Sequence, residues 1–564
     1  MKILGLCVSH DSGVALLDNQ KIIFAANQER YSRKKLDLGF PDLALQKMFS
    51  YTNCQPTEID LVVVGGKTAV QELESVSLDP KNTPFARKIF NLLAKLRLTE
   101  NSFFLLIYQL LSNFLSFKEH REIKNKIKAL GIKSRVIFLD HHLCHAASAY
   151  YTSGFQQATI VTIDGGGDGL SGTVYRGLGN KLKRIVAIPK IHSLGNLYDY
   201  ITVICGFKPL RHAGKITGLA AYTNSLKAYQ ILKEYYDYNA KKISPLNKKR
   251  IFWDAAVREL KEKLKDCSRE EIAHGGQKIL EEIMVSLVKD AIKKTGFPQL
   301  AAAGGVFGNV KMNQRLNELS EVKEVFIHPH MGDGGLALGA ALWAAGHFDN
   351  LQPFNISQAF LGDHYSEEEI KKTIQEMGLT FEELSDASDF IAQKLMEKKV
   401  VGIFFGRMEY GPRALCHRTI LAEPTDVQMM DWLNKRLERT EFMPFAPVIL
   451  EEEAQKYFPL YPKSMTAAKF MTLCYDVSDF GKKMAPGIVH IDGTARPQVV
   501  NRNDNPEIYA ILQKYLAKSG LATCINTSFN RHEEPIVHSP QDALKEFLRG
   551  GVEVLVMENL LIKK

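Results

Sequence analysis

The stretch Asp140-His141-His142-Leu143-Cys144-His145-Ala146-Ala147-Ser148-Ala149 decides how this chain is read. A β-like run, Arg135-Val136-Ile137-Phe138-Leu139, leads into it, and small residues suited to close helix packing follow. If residues 141–150 are helical, His141 and His145 lie one turn apart on one face. Two imidazoles at that spacing can grip one metal ion. Histidines satisfied by backbone groups at a helix start are the plain alternative, so a metal needs further ligands from elsewhere in the chain.

Those ligands are sought in loops of one recurring design. Residues 2–6 form a short apolar strand that ends in Cys7-Val8-Ser9-His10-Asp11-Ser12-Gly13, and a hairpin follows over residues 14–26. Downstream, the buried-strand run of residues 158–163 stops at Asp164-Gly165-Gly166-Gly167-Asp168-Gly169, and a second hairpin follows at residues 172–176. Strand, Gly/Asp/Ser turn and hairpin is how a phosphate-cradling loop is made. Consecutive glycines also let a backbone approach a ligand closely. Asp164 is therefore a third candidate ligand. Two such units suggest a duplicated ribonuclease-H-like core.

Further on, Gly304-Gly305-Val306-Phe307-Gly308-Asn309 joins an apolar strand to a helix start, a place for a nucleotide to rest on backbone. Lys215, after Arg211-His212, could reach a phosphate. The run Gly332-Asp333-Gly334-Gly335-Leu336-Ala337-Leu338-Gly339-Ala340-Ala341 follows a strand, and Asp333 is the candidate that closes the metal site. The helix beginning there looks too rich in Gly and Ala to be purely structural. In the last third, a strand at residues 400–405 feeds a Gly/Pro-shaped loop carrying Arg407, Arg413 and Arg418. Guanidinium forks match phosphate geometry, so these three read as an anion clamp. Asn526 and Ser528, after the strand at residues 522–525, are neutral hydrogen-bond donors.

Composition sets the outer bounds. At 564 residues the chain exceeds one core, and two large domains are expected. Charged residues make up 24% and hydrophobic ones 45%, an ordinary water-soluble balance. The net charge of +9 is read mostly as lysines on solvated faces. Eight cysteines without a CxxC argue against a disulfide framework or a four-cysteine zinc site and fit a reducing cytoplasm. The strand pattern begins at Lys2, so no signal peptide is expected. Phe103–Phe117 is the most apolar segment, yet shorter than the roughly 20 residues of a membrane span. It reads as a helical insertion packed on the domain or a partner subunit, ahead of a membrane-surface contact.

The order HDSG, ERYSRKK (29–35), DHHLCHAASA, DGGGDG, GGVFGNVKMN and GDGGLALGAA, with the C-terminal arginine motifs, resembles the ASKHA superfamily (actin-like ATPases, sugar kinases, heat-shock chaperones). Within it the chain is most similar to the O-carbamoyltransferase family of the NodU/CmcH type. The resemblance implies an α/β fold in which residues 1–355 form a Kae-like ASKHA domain with a helical insertion at about 85–125. Residues 356–564 would then form a YrdC-like domain. It implies that the C-terminal domain makes carbamoyl-adenylate from carbamoyl phosphate and ATP. The N-terminal domain would transfer the carbamoyl group to a hydroxyl of a small-molecule acceptor such as a sugar, antibiotic or other natural product.

Carried onto this sequence, the family's metal site implies His141, His145, Asp164 and Asp333, with iron the usual ion and magnesium a further candidate. His10 and Asp11 would be catalytic, beside the acceptor. Lys35, Gly165, Gly166, Gly304, Gly305 and Asn309 would bind nucleotide in the N-terminal domain. Arg407, Arg413, Arg418, Arg439, Arg496, Asn526 and Ser528 would hold carbamoyl phosphate and ATP in the C-terminal one. Met443 stands where the family implies a further arginine. A homodimer is an open expectation and no nucleic acid is expected. A threonylcarbamoyl-type tRNA-modifying transferase, a sugar kinase and a non-catalytic nucleotide-binding regulator are the competing readings.

Overall fold

Two five-stranded sheets repeat one strand order in the computed structural model, which describes residues 1–67, 92–95, 116–438 and 445–563. The first sheet contains β1 (Lys2–Cys7), β2 (Gly13–Asp18), β3 (Lys21–Asn27), β4 (Leu61–Gly65) and β5 (Arg135–Leu139), in the order β3-β2-β1-β4-β5. The second contains β6 (Gln157–Gly167), β7 (Leu170–Leu178), β8 (Lys181–Pro189), β9 (Gln299–Ala303) and β10 (Glu324–Ile327), in the order β8-β7-β6-β9-β10. In each, the first strand pairs antiparallel with the next and parallel with the fourth. The fourth pairs parallel with the fifth. This is the duplicated ribonuclease-H-like core of an ASKHA domain.

Helix α1 (His141–Tyr151) follows β5 and joins the two repeats, α2 (Leu194–Ile204) follows β8 within the second, and α3 (Leu336–Phe348) follows β10. The small residues of α1, Ala146 and Ala149, are fully buried with Ile160 of β6 and Ala301 and Ala303 of β9. Helix α3 packs on β1 and on α1. A Cβ on Gly339 would overlap the carbonyl oxygen of Cys144. The Gly/Ala content of α3, which suggested a functional helix, therefore serves close helix–helix and helix–strand packing.

The chain folds into two compact units. One holds residues 1–21, 38–40 and 54–355, and the other holds residues 22–37, 41–53 and 356–564. The division is not a single cut. Segments 22–37 and 41–53, expected in the N-terminal domain, belong to the second unit because their charged side chains are anchored there. Arg30 donates to the Gly411 carbonyl (2.8 Å), and Arg33 to those of Pro535 and Ile536 (2.7 and 2.6 Å). The Tyr31 hydroxyl (3.0 Å) and the Lys47 ammonium (3.1 Å) meet the fully buried Asp363 carboxylate.

The second unit is built on one mixed eight-stranded sheet. At its centre Val401–Phe404 pairs parallel with Val554–Met557 and antiparallel with Arg418–Ala422. Arg418–Ala422 continues onto Thr523–Ser528, which pairs with Ala446–Leu450. The apolar segment Phe103–Phe117 lies outside the described residues except at Ser116 and Phe117, as do Arg439 and Met443. Among the described residues no helix is long and apolar enough to cross a membrane.

Candidate metal centre and anion loop

Helix α1 is fixed at its start by two carboxylates. Asp140 accepts from the Leu143 N–H (3.0 Å) as an N-cap. Asp168, from the loop after β6, accepts from the His141 N–H (2.8 Å) and from the Lys67 N–H (3.1 Å). The sequence showed Asp168 only as the second acid bracketing three glycines. Its capping role depends on the return of β6 beside α1.

Strand β6 does not stop at Asp164 as expected. It runs on to Gly167, with its pairing to β7 broken between Ile163 and Gly167. Such a bulge re-aims side chains, and here it carries Asp164 toward the helix. The Asp164 Oδ2 lies 3.3 Å from His141 Nε2 and 3.0 Å from His145 Nε2. Asp333, at the turn before α3, presents Oδ1 at 3.7 and 3.5 Å from the same two nitrogens. Gly167 makes this approach possible, because a Cβ there would overlap the His141 ring.

These four side chains offer one donor atom each within 4.8 Å of one another, and His141, His145 and Asp333 are buried. Two imidazole nitrogens and two carboxylates fit a first-row divalent ion with positions left open for substrate. Burial alone would push the His141 imidazole down; the Asp333 and Asp164 carboxylates outweigh it and raise its pKa to about 9. Burial would push Asp164 up, but the hydrogen bonds of His141 and His145 hold its pKa well below the usual carboxylate range. Four such donors repay their burial when a cation sits among them. His142 is set apart: its Nδ1 meets Thr162 Oγ1 at 3.0 Å, and burial lowers its pKa to about 3.

The two oxygens of Asp333 divide their contacts. Oδ1 faces the histidine pair and Oδ2 lies 3.2 Å from His10 Nε2. The His10 side chain is 30% exposed, so the imidazole borders both the cluster and solvent. Asp11, in a left-handed backbone conformation, faces His330 Nε2 at 3.6 Å. Sequence reading had no signal for His330.

Of the expected nucleotide residues, Gly165, Gly166, Gly304 and Gly305 gather where β6 bends at Asp164, whereas Asn309 and Lys35 are engaged elsewhere. Gly165 and Gly166 flank Asp164, and the Gly165 N–H donates to Asp164 Oδ1 (2.6 Å). The Gly304 N–H donates to the Met331 carbonyl (2.6 Å), and a Cβ on Gly305 would lie 2.9 Å from Asp164 Oδ1. Asn309 caps its own helix through Met312 N and donates to Gln277 Oε1 (2.7 Å) and the Tyr198 hydroxyl (3.2 Å). Its polar atoms are committed to the fold. Lys35 belongs to the second unit and pairs with Glu29 at 2.9 Å.

In the second unit the three-arginine clamp does not form as read. Arg407 donates to the carbonyls of Leu361, Gly362 and Ile23 at 2.7–2.8 Å. Arg418 is fully buried, stacks 3.6 Å over the Phe404 ring, and donates to the carbonyls of Phe405, Gly406 and His417. Arg407 thereby ties the Leu361–Gly362 segment to Ile23, and Arg418 ties together the residues that flank two paired strands. Arg413 differs. It is half-buried, donates to the Met471 carbonyl, and has Arg496 as a cationic neighbour. Burial and the Arg496 charge push its pKa well below the usual arginine value. Asn526 lies inside the sheet and donates to Gln498 Oε1 (2.7 Å), Cys416 Sγ (3.1 Å) and the Ala414 carbonyl (3.3 Å). It holds the Arg413 loop in place. Ser528 ends the strand beside it, half-buried.

Glu409 was missed from the sequence. One of its oxygens accepts the N–H groups of Leu415, His417 and Arg418 at 2.8–3.0 Å. The loop that carries Arg413 is thereby closed on a buried carboxylate.

Comparison with known proteins places the chain. It is 31% identical to an uncharacterised protein of Methanocaldococcus jannaschii, MJ1058, with all of both chains covered. It is 29% identical to the nodulation protein NolNO of Sinorhizobium fredii over 98% of this chain and 79% of that one. It is 25% identical to nodulation protein U of Rhizobium tropici over 94% and 91%. Residues 2–342 match the carbamoyltransferase N-terminus and residues 392–564 the carbamoyltransferase C-terminus. With its cluster of two histidines and two aspartates on a duplicated core, this chain belongs to the carbamoyltransferase family.

Proposed function

We propose that the protein is an ATP-dependent O-carbamoyltransferase. Its second unit would hydrolyse carbamoyl phosphate to carbamate and phosphate. A carbamate oxygen would then attack the α-phosphate of ATP, displacing pyrophosphate to give carbamoyl-adenylate. Its first unit would pass the carbamoyl group to a hydroxyl of a small-molecule acceptor, releasing AMP. The observation that carries this reading is the convergence of His141, His145, Asp164 and Asp333 from three separate parts of the chain. Carbamoyl transfer requires a good leaving group, a fixed electrophile and stabilised oxyanion charge.

His141, His145, Asp164 and Asp333 would hold a divalent ion, iron being the family's usual choice. When bound, such an ion supplies Lewis-acid stabilisation of negative charge on a carbonyl or phosphoryl oxygen. His10 stands beside the cluster as the group that takes the acceptor's hydroxyl proton. The Asp333 carboxylate, 3.2 Å from its Nε2, orients the imidazole at the edge of the cluster. Asp11 orients the acceptor from the same loop. In the second unit, Arg413 and Arg496 form the anion site: two half-buried like charges are relieved when a phosphate sits between them. Glu409 and Asn526 hold that loop, and Arg407 and Arg418 act on the fold.

The test is AMP release dependent on both carbamoyl phosphate and ATP, with a panel of hydroxylated acceptors. Release of ADP in place of AMP would mark a kinase. Absence of both nucleotides as products, from metal-loaded protein, would sink the proposal.

A further inference from the structure

Lys190 follows β8 and is held by its own N–H on the Gly169 carbonyl (3.1 Å). Its stem lies across Gly166: a Cβ on that glycine would be 2.8–2.9 Å from Lys190 Cγ, Cδ and Cε. Gly166 has φ +145°, in the region that favours glycine, so the loop gives up a side chain where the lysine passes. The ammonium lies 5.6 Å from the centroid of the Trp253 ring. Among the described residues it has no ion-pair or hydrogen-bond partner, although the side chain is half-buried.

The nearest acids are already committed. Asp164 faces the two metal-helix imidazoles, and Asp168 accepts from the backbone of His141 and Lys67. Burial lowers the lysine's pKa, and both carboxylates lie close enough to act against that by favouring its charged form. A half-buried ammonium that its surroundings keep without an acceptor is a site for an anion.

We propose that Lys190 binds a phosphate group at the edge of the His/Asp cluster, with Gly166 as the floor of the slot and Trp253 as its wall. The ligand class is a phosphate monoester or mixed anhydride such as an adenylate. The inference deepens the proposed function and rests on its claim that an adenylate is consumed at this cluster.

The experiment uses the full chain in an Arg413→Ala background, which weakens the anion site of the second unit. AMP, inorganic phosphate and adenosine are measured by equilibrium dialysis, and Mn2+ occupancy is followed on the same samples by electron paramagnetic resonance. Lys190→Met should weaken AMP and phosphate binding about tenfold or more, the loss expected for one charge-assisted contact. Lys190→Arg should retain most of it, and adenosine binding should stay as in the parent. Equal AMP affinity in Lys190→Met and parent would overturn the assignment, as would no AMP binding in the parent. Lys190→Gln gives the same decision if the methionine variant is poorly folded. Failure of Mn2+ to bind at all would instead remove the metal reading, and the AMP comparison would still judge Lys190.

Discussion

Gly167 and His141 form a matched pair: the imidazole fills the space where any larger residue at 167 would place its Cβ. The triple glycine is therefore a mould for the His141 ring as well as a bend in a strand. Gly167→Ala should cost about 1–3 kcal/mol of stability by overpacking. It should also weaken divalent-metal binding at least about tenfold, because a misplaced ligand loses more than its contact energy. Mn2+ titration and urea unfolding of the variant check both. Unchanged metal affinity would show that the ring has room to move.

The pH dependence of stability in the metal-free chain follows from His141. Its folded pKa of about 9 lies above the ordinary 6.5, so the stabilisation is complete below pH 6.5 and is lost as pH rises through 9. The loss should reach at most about 3 kcal/mol, read as a falling urea midpoint across that window. Saturating Mn2+ should flatten the curve, since ligation requires the neutral imidazole. His141→Ala should lack the slope altogether.

Asp168 anchors the start of α1 through His141 N–H and ties in Lys67 N–H. Asp168→Ala should destabilise the protein by about 1–3 kcal/mol through loss of a buried acceptor. Its metal affinity should fall as well, although Asp168 is not one of the four donors. Asp168→Asn, which keeps one acceptor oxygen, should recover part of both. A variant with normal metal affinity and lowered stability would confine Asp168 to the fold.

Arg413 and Arg418 should separate cleanly. Arg418→Met removes a fully buried cation that bonds three carbonyls and lies near the buried Glu409 carboxylate, so it should cost about 3–5 kcal/mol. Arg413→Met relieves repulsion with Arg496 and should leave stability within about 1 kcal/mol of the parent. It should raise the KM for carbamoyl phosphate about tenfold or more. Thermal melts and KM measurements on the two variants decide this, and the reverse pattern would reassign the loop.

Local sequence determined much of this molecule. The spacing of His141 and His145 sets them one turn apart whatever surrounds them, because helix periodicity is a backbone property. The two strand–loop–hairpin runs carry their own turn chemistry, and the structure pairs them in the same order in both sheets. Asp164 and Asp333 were legible as candidates because an acid beside glycines at a strand end has few structural tasks. What the sequence left open depended on which distant groups come near. Arg407 and Arg418 look like ligand arginines in a Gly/Pro loop, yet backbone carbonyls claim them. Arg413, two residues from Gly411, faces another arginine instead. Segment 22–53 mostly joins the second unit, taking Lys35 with it, because Asp363 and the carbonyls near Pro535 lie some 300–500 residues further along the chain. Turn and helix signals act over a few residues, whereas guanidinium and ammonium partners are chosen by whatever packing brings within about 3 Å.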